Sequence, residues 1–135
     1  MGLILDSTVV IKAERAGQTA YQMVESLGAS ETELAVSVVT VLEMAHGVAR
    51  ANTEKRQLAR QRFLDDLLSG MPVHPVTIPV ALRAGQTDGL LQAQGLRVAL
   101  ADLLIGATAL ELGYGVATHN VRHFGMIPGL EIKPL

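Results

Sequence analysis

Residues 3–11 read Leu3-Ile4-Leu5-Asp6-Ser7-Thr8-Val9-Val10-Ile11. The apolar run up to Asp6 lacks the alternation of a half-exposed strand. It predicts a strand covered on both faces over Gly2–Asp6, the kind found in parallel sheets. Ser7 or Thr8 can cap a helix over roughly 8–16, which Gly17 ends. A buried strand leading directly into a helix is the opening unit of an α/β layer fold.

The rest of the chain repeats that unit. A helix over 18–28 ends at Gly28, and Glu33–Val38 is a strand rich in β-branched residues. Helices over 40–51 and 53–69 follow, and Gly70 stops the second. Met71–Val76 is a short strand whose Pro72 and Pro75 suit a sheet edge. Thr77 caps a helix over 78–94, and a further helix, 98–112, ends at Gly113. Gly115–Thr118 is another buried strand, His119–Phe124 a polar loop or short helix, and Leu130–Lys133 a last strand. This order predicts three α/β/α layers around a mostly parallel, four- to five-stranded central sheet. With 135 residues and no internal linker or repeat, the expectation is one domain over 1–135.

Composition narrows the function classes. A hydrophobic content of 49% against 18% charged residues excludes a disordered chain. Two Tyr, two Phe and no Trp cannot build an aromatic platform for stacking bases. The absence of cysteine excludes thiolate metal sites and fits a reducing cytoplasm. Met1–Val10 carries no basic segment of a signal peptide, and Asp102 and Glu111 interrupt the apolar region 98–118, so no membrane segment is expected. The net charge of −2 gives no global basic field. Arg50, Lys55, Arg56, Arg60 and Arg62 nevertheless cluster; they are either a solvated helix face or a ridge that contacts phosphates. No Gly-x-Gly-x-x-Gly, Walker-type loop or Gly-x-Ser-x-Gly elbow supports dinucleotide, NTP or acyl chemistry.

Three acids stand in apolar surroundings: Asp6, Glu43 within 36–44, and Asp102 within 98–105. Buried acids are uncommon unless paired or bound to metal. No Lys or Arg lies within five residues of Glu43 or four of Asp102. Ligand sites of parallel sheets lie beyond the carboxyl ends of the strands. Asp6, Glu43, Thr118, His119 and Asn120 all fall on that rim, and Asp102 sits near the start of a helix that begins there. Glu43 is expected in the first turn of its helix, where the dipole favours negative charge. Acids gathered in this way demand a cation, and oxygen ligands suit Mg²⁺ or Mn²⁺. Such an ion polarises a phosphodiester and activates water. Zinc is disfavoured, because cysteine is absent and a turn-like segment separates His119 from His123. The plainer readings are a helix cap for Asp6, a dipole partner for Glu43, a turn cap for Asn120 and structural or surface roles for His46, His74 and His123.

Four segments in order carry a family resemblance: residues 3–11, 37–47, 101–109 and 117–130. They read Leu3…Asp6…Ile11, Ser37…Glu43…Gly47, Ala101-Asp102…Ala109 and Ala117-Thr118-His119-Asn120-Val121-Arg122-His123-Phe124 with Ile127-Pro128-Gly129-Leu130 after it. The chain resembles PIN-domain proteins, and more narrowly VapC-type toxin ribonucleases. The resemblance implies a Mg²⁺-dependent endoribonuclease, with Mn²⁺ able to substitute, that hydrolyses RNA and leaves a 5′-phosphate. It also implies a small cognate antitoxin wrapping helices 8–28 and 40–69, and a homodimer. Asp6, Glu43 and Asp102 match the first three acidic positions: Asp6 and Asp102 as main metal ligands, Glu43 completing the site or orienting water. Asn120 matches a polar position and joins them as a catalytic residue, with the Ser7 and Thr118 hydroxyls in support. His123 stands where the family often has a fourth acid, which implies one tight and one weak, substrate-assisted ion. The alternatives are a non-catalytic PIN-like module that binds RNA or a partner, and a DNA-cutting nuclease. A receiver-type phosphoacceptor lacks its acidic pair here.

Overall fold

A computed structural model describes residues 2–28 and 32–135. The expected span of 1–135 thus includes residues 1 and 29–31, which lie outside the described residues. The strands are β1 (Gly2–Leu5), β2 (Glu33–Ser37), β3 (Val73–His74), β4 (Gly115–Thr118) and β5 (Ile132–Pro134). Between them run α1 (Ser7–Arg15), α2 (Ala20–Ser26), α3 (Val38–Ala49), α4 (Glu54–Gly70), α5 (Ile78–Ala93), α6 (Leu100–Leu112) and α7 (Val121–Phe124). Among the described residues the sheet has five strands in the order β3-β2-β1-β4-β5, and every pairing is parallel.

The apolar runs explain that order. All residues of β1 and of β4 are buried, as strands covered on both faces must be. β3, between Pro72 and Pro75, is a two-residue edge. Alternate side chains of β1 point to opposite faces. Leu3 and Leu5 join Val10, Val36, Met44, Phe63 and Leu67 in a core under α1–α4. Ile4 joins Ala35, Ile105, Val116 and Phe124 under α6 and α7. α5 packs outside α6 through Val80, Ala84 and Leu91. Each fully buried large side chain contributes roughly 2–3 kcal/mol.

Three helix starts that bear on the site, those of α1, α3 and α6, differ from expectation. Ser37 caps α3 by accepting the Val39 N–H at 3.1 Å, so this helix begins at Val38 and Glu43 lies beyond its first turn. The β-branched run 38–41 reads locally as strand, but the cap and the packing of α3 on the sheet override that preference. α6 begins at Leu100, and Asp102 is the acid in its first turn. The helix dipole therefore favours Asp102 rather than Glu43. At α1 the cap position belongs to Asp6, whose side chain makes no cap bond, and Ser7 and Thr8 are already helical.

The chain reverses its direction across the sheet between β1 and β4. This is the topological switch point, where a crevice opens at the carboxyl ends. Leu5 pairs with Ala117, and the Asp6 N–H donates to the Ala117 carbonyl at 3.0 Å. The opposite end of the sheet is closed by Tyr114. Its hydroxyl donates to Glu33 Oε2 at 2.8 Å, and its ring meets His74 edge to face. A Cβ on Gly2 would come within 2.3 Å of that ring, so only glycine lets it lie there.

Candidate active site

At the switch point Asp6 is 1% exposed yet carries a carboxylate. Three hydroxyls hold it. Thr118 donates to Oδ2 at 2.9 Å, Thr8 donates to the same oxygen, and Ser7 donates to Oδ1 at the long distance of 3.5 Å. Ser7 and Thr118 were expected beside the acid. Thr8 was not, although its place two residues past Asp6, at the start of α1, could have suggested it. The Thr118 hydroxyl also accepts the Asn120 N–H at 2.8 Å, which fixes the turn into α7.

Asp102 and Glu43 face the same crevice from α6 and α3. The Asp102 carboxyl is held above its ordinary value, first by burial and next by the negative charge of Asp6; Glu43 adds to the rise and His123 opposes it. Asp102 therefore feels the charge of both other acids across the site. Glu43 Oε1 is buried without a hydrogen-bond partner, and so is the Thr40 hydroxyl one turn earlier on α3. His123 Nδ1 lies 3.7 Å from Asp102 Oδ2 and 2.8 Å from Asn120 Nδ2. Asp102 thus has a partner 21 residues away, which local inspection of the chain could not supply. The Asn120 amide meets His123 rather than a carboxylate.

These residues fit a divalent cation by their chemistry. A buried carboxylate oxygen without a partner and a carboxyl pushed up by its acidic neighbours are both relieved by positive charge. Among the described residues, no three His, Asp or Glu side chains stand close enough to close on one ion as they are. The acids form one electrostatic site and not a ready-made ligand cage. That arrangement suits Mg²⁺, which keeps several waters and takes one or two carboxylates.

Beside Glu43 a groove of about 260 Å³ runs between α1, α3 and α4. Ile11, Leu42 and Met44 give it an apolar floor, and Arg15 and Arg60 stand at its sides. Arg60 donates to the Gly47 carbonyl at 2.7 Å and ties α4 to α3. Arg15, Arg56 and Arg60 continue into a cleft of about 410 Å³. Part of the basic cluster therefore lines a concave surface, while Arg50, Lys55 and Arg62 are solvent-exposed. Of the structural and surface roles open to His74, its edge-to-face contact with the Tyr114 ring fits the structural one. No helix among the described residues is long and apolar enough to cross a membrane.

Comparison with known proteins agrees with this geometry. The PIN domain family matches residues 3–126. Ribonuclease VapC1 of Rickettsia felis is 30% identical over 132 residues, covering 98% of this chain and 95% of that protein. The crystal structure of VapBC2 from Rickettsia felis, bound to a promoter DNA fragment, superposes with a TM-score of 0.86 at 23% identity over 100% of this chain and 99% of that one, a likeness of fold. VapBC-5 of Mycobacterium tuberculosis, described as a member of the VapBC family of toxin-antitoxin systems, superposes with a TM-score of 0.76 at 25% identity over 99% and 98% of the two chains. A parallel sheet with acids at its switch point and a match over nearly all of its length lead to one conclusion: the chain belongs to the PIN-domain family, within its VapC group.

Proposed function

We propose that this protein, as one domain over 1–135, is a Mg²⁺-dependent endoribonuclease and the toxin of a toxin–antitoxin pair, acting in the cytoplasm. The observation that carries this reading is the set of acids at the switch point: Asp102 is pushed up by burial and by its acidic neighbours, and Glu43 Oε1 has no partner. Asp6 and Asp102 hold the ion, and Glu43 completes its surroundings or orients the attacking water. When bound, the ion supplies charge for the phosphate and a more acidic water. Thr118, Ser7 and Thr8 keep the Asp6 carboxylate in one orientation through their hydroxyls. Asn120 acts at one remove, by orienting His123.

The relatives named as ribonucleases support RNA as the substrate, and the toxin–antitoxin neighbour supports a small antitoxin as partner. The groove between α1, α3 and α4 suits an apolar segment of that partner, with a basic side chain directed at Glu43. Exposed Ile78, Leu82 and Leu90 on α5 and Leu100 on α6 give a homodimer an apolar surface to cover. The test is cleavage of RNA by the purified protein with Mg²⁺, with EDTA, and after Asp102→Asn. Cutting that needs Mg²⁺ and vanishes in the variant, with RNA still bound, supports the enzyme. Wild-type protein that binds RNA and never cuts it in Mg²⁺ or Mn²⁺ would establish the non-catalytic module instead.

A further inference from the structure

We propose that the cleft formed by Arg15, Arg56 and Arg60 is a phosphate subsite, where the backbone of single-stranded RNA lies beside the acid site; for its ligand this rests on the ribonuclease reading above. The basic cluster in the sequence had two readings, a solvated helix face or a ridge that contacts phosphates, and the fold divides it between them. Arg50, Lys55 and Arg62 are exposed and do not line the cleft, whereas Arg56 and Arg60 line it together with Arg15 from α1. Four residues apart, Arg56 and Arg60 share one face of α4. Arg15 comes from a separate element, so only the folded chain brings the three together.

Hydrogen bonds orient two of these side chains. Arg60 donates to the Gly47 carbonyl at 2.7 Å, and Arg56 donates to Asn52 Oδ1 at 3.0 Å. Each bond uses one of the five N–H donors of its guanidinium group. Among the described residues the ion pairs are Arg83–Glu111 and His123–Asp102, so no carboxylate there pairs with Arg15, Arg56 or Arg60. Glu14 is the one carboxylate that lines the cleft, against three guanidinium groups. In a chain of net charge −2, that local excess of positive charge draws an anion to one place.

The position of the cleft identifies the anion. Glu14, Arg15 and Arg60 also line the groove that contains Glu43, so the two spaces are continuous. Gly47, which Arg60 touches, stands one turn of α3 beyond Glu43, about 6 Å along the helix axis. A strand whose scissile phosphate lies at the acids therefore carries neighbouring phosphates past Arg60 and into the cleft. Guanidinium forks match phosphate oxygens, and no aromatic ring lines the cleft to stack a base. Contacts of this kind position the strand without reading its sequence. An acidic protein segment also fits the forks, but continuity with the acid site favours a polymer that must reach it.

Fluorescence anisotropy of a labelled, mixed-sequence, single-stranded RNA of about 20 nucleotides, titrated in EDTA at several salt concentrations, tests this without cleavage. Arg15→Ala and Arg56→Ala should each weaken binding at least about fivefold at about 0.1 M salt. Each should also flatten the dependence of log K on log salt by about 0.7. Arg56→Lys keeps the charge and should keep that slope. Arg62→Ala, on the same helix but outside the cleft, should stay within about twofold of the wild type. Glu14→Gln removes the opposing charge and should bind RNA more tightly. Arg15→Ala and Arg56→Ala proteins that bind RNA as Arg62→Ala does overturn the proposal and leave the cleft to an acidic protein segment. Affinity lost with the salt slope unchanged overturns it too. Wild-type protein that binds no RNA in EDTA or in Mg²⁺ refutes the ribonuclease reading as well, whereas RNA bound and cut equally by wild type and the two alanine variants overturns the cleft alone.

Discussion

The two ends of the sheet are built from the same strands and treat polar groups in opposite ways. At the amino end, Tyr114 and Glu33 satisfy each other, His74 packs against the ring, and Gly2 makes room for it. At the carboxyl end, Asp6 is held by hydroxyls, Asp102 is pushed above its ordinary value, and Glu43 Oε1 has no partner. One end is closed by contacts made within the protein. The other is left incomplete, and what would complete it is positive charge. Proteins accept such local cost at sites of function.

The contrast makes the two ends respond differently to substitution. The largest effect is expected for Asp6→Asn and Asp102→Asn. Each should slow RNA cleavage by about 10³-fold in single-turnover assays, with the far-ultraviolet circular dichroism unchanged. Thr118→Val comes next, because it touches both stability and site. It strips a hydroxyl from buried Asp6 and leaves the Asn120 N–H without its acceptor. Denaturant unfolding should show a loss of about 2 kcal/mol. At the amino end, Tyr114→Phe removes only a solvent-exposed hydrogen bond and should leave both the unfolding midpoint and the cleavage rate close to wild type. A slowed rate in that variant would erase the distinction between the ends.

The smallest effect concerns pH without divalent ions. Asp102 binds its proton more tightly in the folded than in the unfolded state. Its contribution to stability is therefore complete below its ordinary value of 3.8 and is lost as pH rises through its raised folded value. Thermal unfolding of wild type and Asp102→Asn across that window should diverge in this sense. The variant should lack the decline that the wild type shows on top of other titrations.

Legibility followed the range of the interactions involved. β1 and β4 were readable because strands buried on both faces are written as unbroken apolar runs, and their ends placed Asp6 and Thr118 correctly. The edge position of β3 was readable from its two prolines. The start of α3 was misjudged, since Val38, Val39 and Val41 favour strand and only the Ser37 cap says otherwise. That shift took the dipole's benefit from Glu43, and the start of α6 at Leu100 gave it to Asp102. The approach of His123 to Asp102 was not legible at all, because it depends on how α7 folds back over α6. Aromatic scarcity hid a second feature: Tyr114 read as one of few ring residues, and only the sheet's register shows that it closes the amino end.

The central claim is that the rim acids repel one another until a divalent cation joins them. Thermal unfolding of wild type and Asp102→Asn, each in EDTA and in excess Mg²⁺, tests it most directly. The account predicts that Mg²⁺ raises the wild-type midpoint by several degrees, that the variant starts above the wild type in EDTA, and that Mg²⁺ no longer moves it. A wild type indifferent to Mg²⁺, or a variant that gains as much from Mg²⁺ as the wild type does, would contradict it.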